Sequence, residues 1–217
     1  WALFTGIARA AGREDSVWRS LEQLATPFGH VLLTPAYTAA SRADVGRIAD
    51  QKPGMFENGS IYTHGESFYL YALVAAGYGD RCYRELIRAL PSALPQDVIT
   101  GPRHQLSNFT VGPDHPNFGS QLFSNFTGSV PWYRRVIQHM LGVVPAFDAL
   151  CIGPRPPRDW KEYEVRKMWR GRDVRVKFTR QGGPGCRITM NGRTYEGQIP
   201  LADLSDREVN NINVSFS

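Results

Sequence analysis

The chain has 217 residues, of which 42% are hydrophobic and 12% aromatic, so it can bury the core of one large or two small domains. No apolar stretch reaches the roughly 18 residues of a membrane-spanning helix, and no recognisable secretion signal opens the chain. The formal net charge is +5, and the excess is concentrated between residues 152 and 180, where cations alternate with apolar residues as on the solvated face of a sheet. These features predict a cytoplasmic protein with neither a membrane nor a nucleic-acid partner.

The spacing of cysteine and histidine gives no sign of a metal centre. The three cysteines, Cys82, Cys151 and Cys186, lie far apart and form no CxxC pair, so reduced thiols are expected. The histidines show no metal-ligand spacing either. The sequence therefore predicts that no metal is bound.

Helical periodicity opens the chain. Apolar residues recur at helical spacing over residues 3–11, and because this pattern begins at once and without Met, we expect a fragment of a longer protein. A second helix is predicted to begin at Asp15 or Ser16, as N-cap, and to end before Pro27.

A loop and a helical hairpin are predicted next. Residues 30–60 are rich in Gly, Pro and Thr and indicate a loop. Helical spacing returns over 68–75 and again over 80–90, with a Gly-rich connection between them. A long loop is predicted over 91–128, and a helix with Pro in its first turn is predicted to run to Val144.

The period of the apolar residues changes from 3.6 to 2 after Pro145. Alternation over 163–169 and 174–178 predicts two strands, and Asn191-Gly192 predicts a hairpin turn. We therefore expect a helical domain over residues 1–147 and a small antiparallel β domain over 148–217.

Polar groups are concentrated in two Gly-rich segments, 52–64 and 112–129. In the second segment, Thr127, Gly128 and Ser129 stand just before a predicted helix. Free backbone N–H groups and the helix dipole make such a position a potential anion site. An ordinary capped helix would give the same pattern, so this feature by itself leaves both interpretations open.

Three segments together resemble the C-terminal half of glycoside hydrolase family 94: KPGMFENGSIYTH, VGPDHPNFGS and FTGSVPWYRRVIQHMLGVVPAFDALCIGPRPPRDWKEYEV. The resemblance runs from Ala2 to Arg180 in order and with matching spacings. The family contains phosphorylases of cellobiose, cellodextrin, chitobiose, laminaribiose and cellobionic acid. The resemblance implies a mainly α fold in which the C-terminal portion of an (α/α)6 barrel precedes a small antiparallel β domain.

The resemblance also implies a reaction, the inverting phosphorolysis of a β-glucosidic disaccharide to α-glucose 1-phosphate. In the family an Asp protonates the glycosidic oxygen while phosphate attacks the anomeric carbon. The motif that carries this Asp is not found here and would precede Trp1. We therefore expect no catalytic residue in this fragment, no activity of the fragment alone, no cofactor beyond the substrate phosphate, and a homodimer.

Several positions match the family's binding residues. His64 matches its phosphate-binding His, and Thr127 with the backbone of Gly128 matches its Thr-Gly pair. Glu57, seven residues before His64, matches a Glu that accepts hydrogen bonds from sugar hydroxyls. Asn108 stands where a substrate-binding Gln is frequent.

The sugar in the leaving-group subsite is less well defined by the sequence. Phe56 stands where cellobiose-type members often have Lys, which with Asn108 argues against plain cellobiose. Arg42 and Arg47, which lie 15 and 10 residues before Glu57, favour an acidic acceptor and hence cellobionic acid, with gluconate released. Solvated loop charges would look the same, which leaves cellobiose or another neutral β-disaccharide as an alternative. A non-catalytic carbohydrate-binding part of a larger glucan-processing protein is the alternative from another class.

Overall fold

The computed structural model describes residues 1–93, 106–123, 128–182 and 185–217. The chain divides into two compact units. The N-terminal unit comprises residues 1–76 and 81–136, and the C-terminal unit comprises residues 77–80 and 137–217. The domain boundary expected after residue 147 stays a prediction, because compactness alone does not show which part folds independently.

The described helices fall mainly in the N-terminal unit, and two of them, α5 and α6, contribute residues to both units. They are α1 (Ile7–Ala10), α2 (Glu14–Glu22), α3 (Arg42–Val45), α4 (Thr63–Ala75), α5 (Gly79–Ala89) and α6 (Val130–Leu141). Short 3₁₀ turns cover Ala39–Ser41, Gly46–Asp50, Pro91–Ala93 and Leu201–Asp203. No helix within the described ranges combines the length and the apolarity that a membrane crossing needs.

The first two predicted helices are only partly correct. The pattern over 3–11 yields just the single turn α1, because Gly6 adopts a left-handed φ of 79° that interrupts the helix before Ile7. The second helix begins at Glu14, with Arg13 rather than Asp15 or Ser16 at the N-cap position, and ends at Glu22.

Two later predictions also need correction. The segment 30–60 is not wholly loop, because α3 and its flanking 3₁₀ turns lie within it. The predicted helix reaching Val144 ends at Leu141, where Gly142 takes a φ of 78° and Val144 enters a strand instead.

Short strands within the loop regions of the N-terminal unit pair with one another. They are β1 (Ala25–Thr26), β2 (Gly29–His30), β3 (Ile61–Tyr62), β4 (Phe109–Thr110) and β5 (Gln121–Leu122). Strands β3, β4 and β5 form one antiparallel sheet with β4 at its centre, called the small sheet below. The prediction of unbroken loop over 91–128 is therefore wrong for β4 and β5.

Helix α4 is the buried centre of the N-terminal unit. Its residues Leu70, Leu73 and Val74 are completely buried, which explains why it lacks a polar face. Beside it α5 turns Cys82 inward, and burial raises the pKa of this thiol to about 12. The Cys82 thiol therefore stays protonated at neutral pH.

The C-terminal unit consists of two sheets. Its strands are β6 (Val143–Pro145), β7 (Ala149–Ile152), β8 (Glu162–Trp169), β9 (Arg172–Arg180), β10 (Cys186–Met190), β11 (Arg193–Tyr195), β12 (Gln198–Pro200) and β13 (Asn210–Phe216). One sheet has the order β11-β10-β13-β9-β8 and the other the order β12-β7-β6.

The strands of the larger sheet follow their sequence pattern. In β9 the alternating residues Val174, Val176 and Phe178 are completely buried. The Asn191-Gly192 turn joins β10 to β11, with both residues at positive φ (51° and 76°), as this hairpin type requires.

One strand departs from the antiparallel expectation. Strand β13 lies between β9 and β10 and runs parallel to β9, with Val214 beside Phe178. It reaches this position after the β10–β12 segment, so the connection is a crossover and not a hairpin. The fold is thus a mixture of helices and largely antiparallel sheets, while closure of the helices into an (α/α)6 barrel stays a prediction.

Candidate active site

Glu57 is presented by a tight turn over residues 55–58. The Asn58 N–H donates to the Met55 carbonyl at 2.9 Å, and the Gly54 N–H donates to the Asn58 carbonyl at 2.8 Å. The Glu57 side chain stays exposed, and the Gln51 amide donates to its Oε2 at 2.7 Å. The turn therefore offers an exposed carboxylate to an incoming polar ligand.

Asn58 fastens this turn to the rest of the unit. It is completely buried, and its Oδ1 accepts the Tyr37 N–H at 2.7 Å while its Nδ2 donates to the carbonyls of Tyr37 and Gln51, both at 2.9 Å. No role for Asn58 was predicted from the sequence. The sequence signal that could have predicted this role is a short polar side chain next to Gly59, since Asn commonly bonds the backbone in tight turns.

The loop over 111–120 packs directly on the Glu57 turn. The Gly112 N–H donates to the Gly54 carbonyl at 2.7 Å, and a Cβ on Gly112 would lie 1.8 Å from the Gly59 carbonyl oxygen. Only glycine permits this approach. Asp114 holds the loop from the other side by accepting the Ala36 N–H at 3.2 Å.

The two predicted acceptor-side cations differ in their surroundings. The Arg42 Nε lies 2.7 Å from Asp50 Oδ1, so this guanidinium is already paired with a carboxylate. Arg47 lines a surface depression together with Asp50, Gln51 and Glu57. Within the described residues, Arg47 has no hydrogen bond or ion pair of its own, so its charge remains available to a ligand.

The small sheet gathers the remaining site residues at one edge. Tyr62 pairs with Phe109, and Phe109 pairs with Leu122. His64 follows β3 and Asn108 precedes β4, while the Asn108 N–H donates to the Leu122 carbonyl at 3.1 Å. Since Thr63, the first residue of α4, donates its N–H to the Asn108 carbonyl at 3.1 Å, the His64 and Asn108 segments are in direct contact.

The same edge connects with the Glu57 turn through aromatic rings. The Phe56 ring lies 5.8 Å from the Phe109 ring, which stacks on Tyr62 at 4.8 Å, and Tyr62 lies 5.8 Å from the His64 ring. The structure therefore brings the segments of Glu57, Asn108 and His64 together, although they are separated by up to 51 residues in sequence.

The beginnings of α4 and α6 also lie side by side. Phe68 packs edge-on against Trp132 at 4.6 Å, and the half-buried His64 ring lies 4.6 Å from Phe68. Gly128 is exposed two residues before α6, as the sequence predicted. Thr127, its predicted partner, lies outside the described residues. Two helix starts in proximity add their partial positive charges, which favours an anion between them.

Two buried polar atoms near the site lack a hydrogen-bond partner within the described residues. They are the Oδ1 of Asn108 and the hydroxyl of Ser129, the residue after Gly128. An unpaired buried group costs about 1–3 kcal/mol, so both are suited to receive a ligand that pairs them. No binding role for Ser129 was predicted from the sequence.

Glu66, in the first half of α4, forms a buried pair with His30. The Glu66 carboxylate accepts the His30 N–H at 3.0 Å and lies 3.2 Å from His30 Nδ1, with both residues more than nine-tenths buried. Burial, reinforced by the Glu66 charge, raises the pKa of the Tyr133 phenol. The apolar periodicity of the sequence did not predict that Glu66 is buried, because a Glu within a helix ordinarily faces solvent.

The described ranges contain no group of three or more His, Cys, Asp or Glu side chains that could hold a metal ion. The site instead combines a carboxylate, an amide, an imidazole and two helix starts. These groups suit a ligand with hydroxyl groups together with an anion.

Comparisons with known proteins agree with this chemistry. Residues 1–142 match the family described as the glycosyl hydrolase 94 superfamily, catalytic domain. The chain is 30% identical over 205 residues to solabiose phosphorylase of Paenibacillus borealis, covering 92% of this chain and 27% of that protein. It is 31% identical over 204 residues to 3-O-beta-D-glucopyranosyl-beta-D-glucuronide phosphorylase of the same organism, covering 90% and 26%. It is 29% identical over 217 residues to cellobionic acid phosphorylase of Neurospora crassa, covering 96% and 26%.

The chain therefore belongs to the glycosyl hydrolase 94 superfamily. The chain spans about a quarter of the length of the curated relatives it matches. The family resemblance found in the sequence is thereby confirmed.

Proposed function

We propose that the protein catalyses the phosphorolysis of a disaccharide, and that this chain contributes phosphate contacts and part of the leaving-sugar subsite. The observation that supports this most is the edge of the small sheet, where the His64 and Asn108 segments meet close to the start of α6. The three relatives described above are each named as a phosphorylase, of solabiose, of a glucopyranosyl-glucuronide and of cellobionic acid.

In the proposed mechanism, inorganic phosphate binds between the starts of α4 and α6. His64, the Thr127 hydroxyl and the Gly128 N–H hold it for attack on the anomeric carbon, with inversion to α-glucose 1-phosphate. The general-acid Asp, which protonates the leaving oxygen, is proposed to lie outside this chain, so the chain alone is expected to be inactive. No organic cofactor is needed, and a cytoplasmic homodimer is the proposed state.

For the leaving sugar we propose an acidic acceptor, with cellobionic acid as the leading substrate. Arg47 is better suited than Arg42 to bind the carboxylate, because Asp50 already pairs with Arg42. Glu57 and Asn108 would accept or donate to the sugar hydroxyls. Two of the relatives are named for acidic sugars, which supports this choice, and a neutral β-disaccharide is the alternative.

The phosphate part is tested with His64→Ala and Thr127→Val in the full-length enzyme. Each change should raise the KM for phosphate much more than the KM for the disaccharide, since a lost contact to a charged group costs about 1.5–3 kcal/mol. His139→Ala, in the second half of α6, is the matched histidine control and should leave both constants unchanged. Equal losses for both substrates would remove His64 from the phosphate site, and sugar binding with no phosphorolysis by the wild type would favour a non-catalytic carbohydrate-binding role.

The acceptor part uses the same enzyme in the direction of synthesis, with α-glucose 1-phosphate and competing gluconate and glucose. Arg47→Gln should reduce the use of gluconate by about 2–5 kcal/mol in transition-state stabilisation and scarcely affect glucose, because an unpaired carboxylate would remain in the site. Arg42→Gln is the comparison and should have a smaller effect. A wild-type enzyme that prefers glucose would contradict the acidic acceptor and leave the phosphate contacts untouched.

A further inference from the structure

Two phenylalanines near the proposed leaving-sugar subsite have unusual backbone conformations. Phe56 has a φ of 47° and Phe123 a φ of 55°. A left-handed φ is rare for a bulky residue, and such residues persist where the surrounding structure holds them in place, often at binding sites. In the first case, Asn58 fixes the following turn and the Ser60 hydroxyl donates to the Phe56 carbonyl.

The two side chains come from different loops and meet. The rings of Phe56 and Phe123 stack with centroids 5.9 Å apart and planes inclined by 26°, and Phe109 supports Phe56 edge-on at 5.8 Å. Phe123 remains 59% exposed. The Phe123 ring is therefore packed on one face and exposed to solvent elsewhere, and an exposed aromatic face of this kind can bind a flat apolar partner.

Polar groups border this pair of rings. Glu57 directly follows Phe56, and the Phe123 carbonyl accepts the Asn108 N–H at 2.9 Å. The Asn108 Oδ1 lies beside this bond and has no hydrogen-bond partner among the described residues. A flat aromatic face with a carboxylate and an amide at its margin matches a sugar, which has an apolar C–H face and hydroxyl groups around its rim.

We propose that Phe56 and Phe123 form an aromatic platform on which a ring-shaped leaving sugar stacks, so that the same subsite accepts pyranoses such as glucose as well as gluconate. The proposal rests on the proposed function and adds to it. The platform would bind the C–H face of a pyranose, while Arg47 would select among acceptors by charge. An open-chain acid such as gluconate presents no comparable flat face and gains less from the platform.

The test separates the ring from the backbone of Phe123. Phe123→Gly removes the ring and relieves the left-handed conformation, whereas Phe123→Ala removes the ring alone. In synthesis from α-glucose 1-phosphate, both variants should raise the KM for glucose about three- to tenfold, with a smaller change for gluconate and none for phosphate in phosphorolysis. Phe56→Leu should have the same direction of effect, and Phe147→Ala, which removes an exposed ring of the C-terminal unit, should change nothing.

Thermal unfolding of the same variants distinguishes a binding role from a structural one. The platform predicts that Phe123→Gly keeps or raises the Tm while weakening acceptor use. Unchanged acceptor constants in Phe123→Gly would overturn the platform even if the wild type is an active phosphorylase. Calorimetric titration of wild type and Phe123→Ala with cellobiose tests stacking without turnover: equal affinities would reject the platform, and weaker binding by the variant would support it even if phosphorolysis fails.

Discussion

The C-terminal unit buries mainly apolar side chains in its sheets, whereas the N-terminal unit buries polar and charged side chains as well, in helix α4 and around short loops. Among the described residues, the buried polar side chains other than Asn210 belong to the N-terminal unit: His30, Asn58, Ser60, Thr63, Glu66, Ser67, Ser107, Thr110, Gln121 and Ser129. A buried polar group needs a partner in a medium of low polarity, so the hydrogen-bonded members of this set, such as Asn58, Thr63 and Glu66, have their positions specified by those bonds.

This contrast relates to function. The core of the C-terminal unit is one apolar cluster that includes Leu150, Phe178 and Ile212, and it can tolerate small shifts as long as volume is conserved. A loop fixed by hydrogen bonds has far less freedom, because each bond sets both distance and direction. The proposed site therefore lies where geometry is most narrowly determined.

The largest expected effect is a loss of stability in the apolar core of the C-terminal unit. Phe178 is completely buried, stacks on Tyr163 at 4.6 Å and contacts Phe216, so Phe178→Ala should destabilise the C-terminal unit by about 3–5 kcal/mol. Urea unfolding followed by circular dichroism measures the change. Phosphate and disaccharide constants of the folded fraction should stay as in the wild type, and a loss below about 1 kcal/mol would show that the cavity collapses.

A pair of asparagines gives the next effect and the sharpest contrast. Asn58 and Asn210 each accept one backbone N–H through Oδ1 and donate to backbone carbonyls through Nδ2. Changing either to Ala leaves buried backbone groups unpaired and should cost about 1–3 kcal/mol in unfolding free energy. Only Asn58→Ala should also raise the KM for the disaccharide, because it frees the Glu57 turn. Equal kinetic effects of the two variants would contradict the separation of roles.

The smallest expected effect concerns the exposed face of the larger sheet. Glu164 and Arg175 pair across β8 and β9 at 3.3 Å, and both side chains are about half exposed. A double-mutant cycle with Glu164→Gln and Arg175→Gln should give a coupling of about 0.2–1 kcal/mol that falls as salt is added. A coupling of several kcal/mol would mean that this face is not solvated, contrary to the alternating pattern.

Where a pattern repeats along the chain, the sequence predicted structure well. Alternation with period two located β8 and β9, and Asn191-Gly192 located the hairpin, because each depends on local geometry alone. Helical spacing located α4, α5 and α6, although their ends shifted by a few residues. The parallel position of β13 was missed, since no local signal tells a strand which neighbour it joins.

For the candidate site, too, some features were predictable from the sequence and others were not. The sequence by itself determined which family the chain belongs to, because motifs such as Glu57 to His64 preserve their spacing, and it predicted which residues carry the chemistry. The tertiary structure alone decided that Asp50 pairs with Arg42 while Arg47 has no ion pair in the described part of the chain. It also decided that Asn58 holds the Glu57 turn and that Phe56 meets Phe123. Their separation in the chain ranges from eight residues for Arg42 and Asp50 to 67 for Phe56 and Phe123, and in each case the geometry depends on how the loops pack.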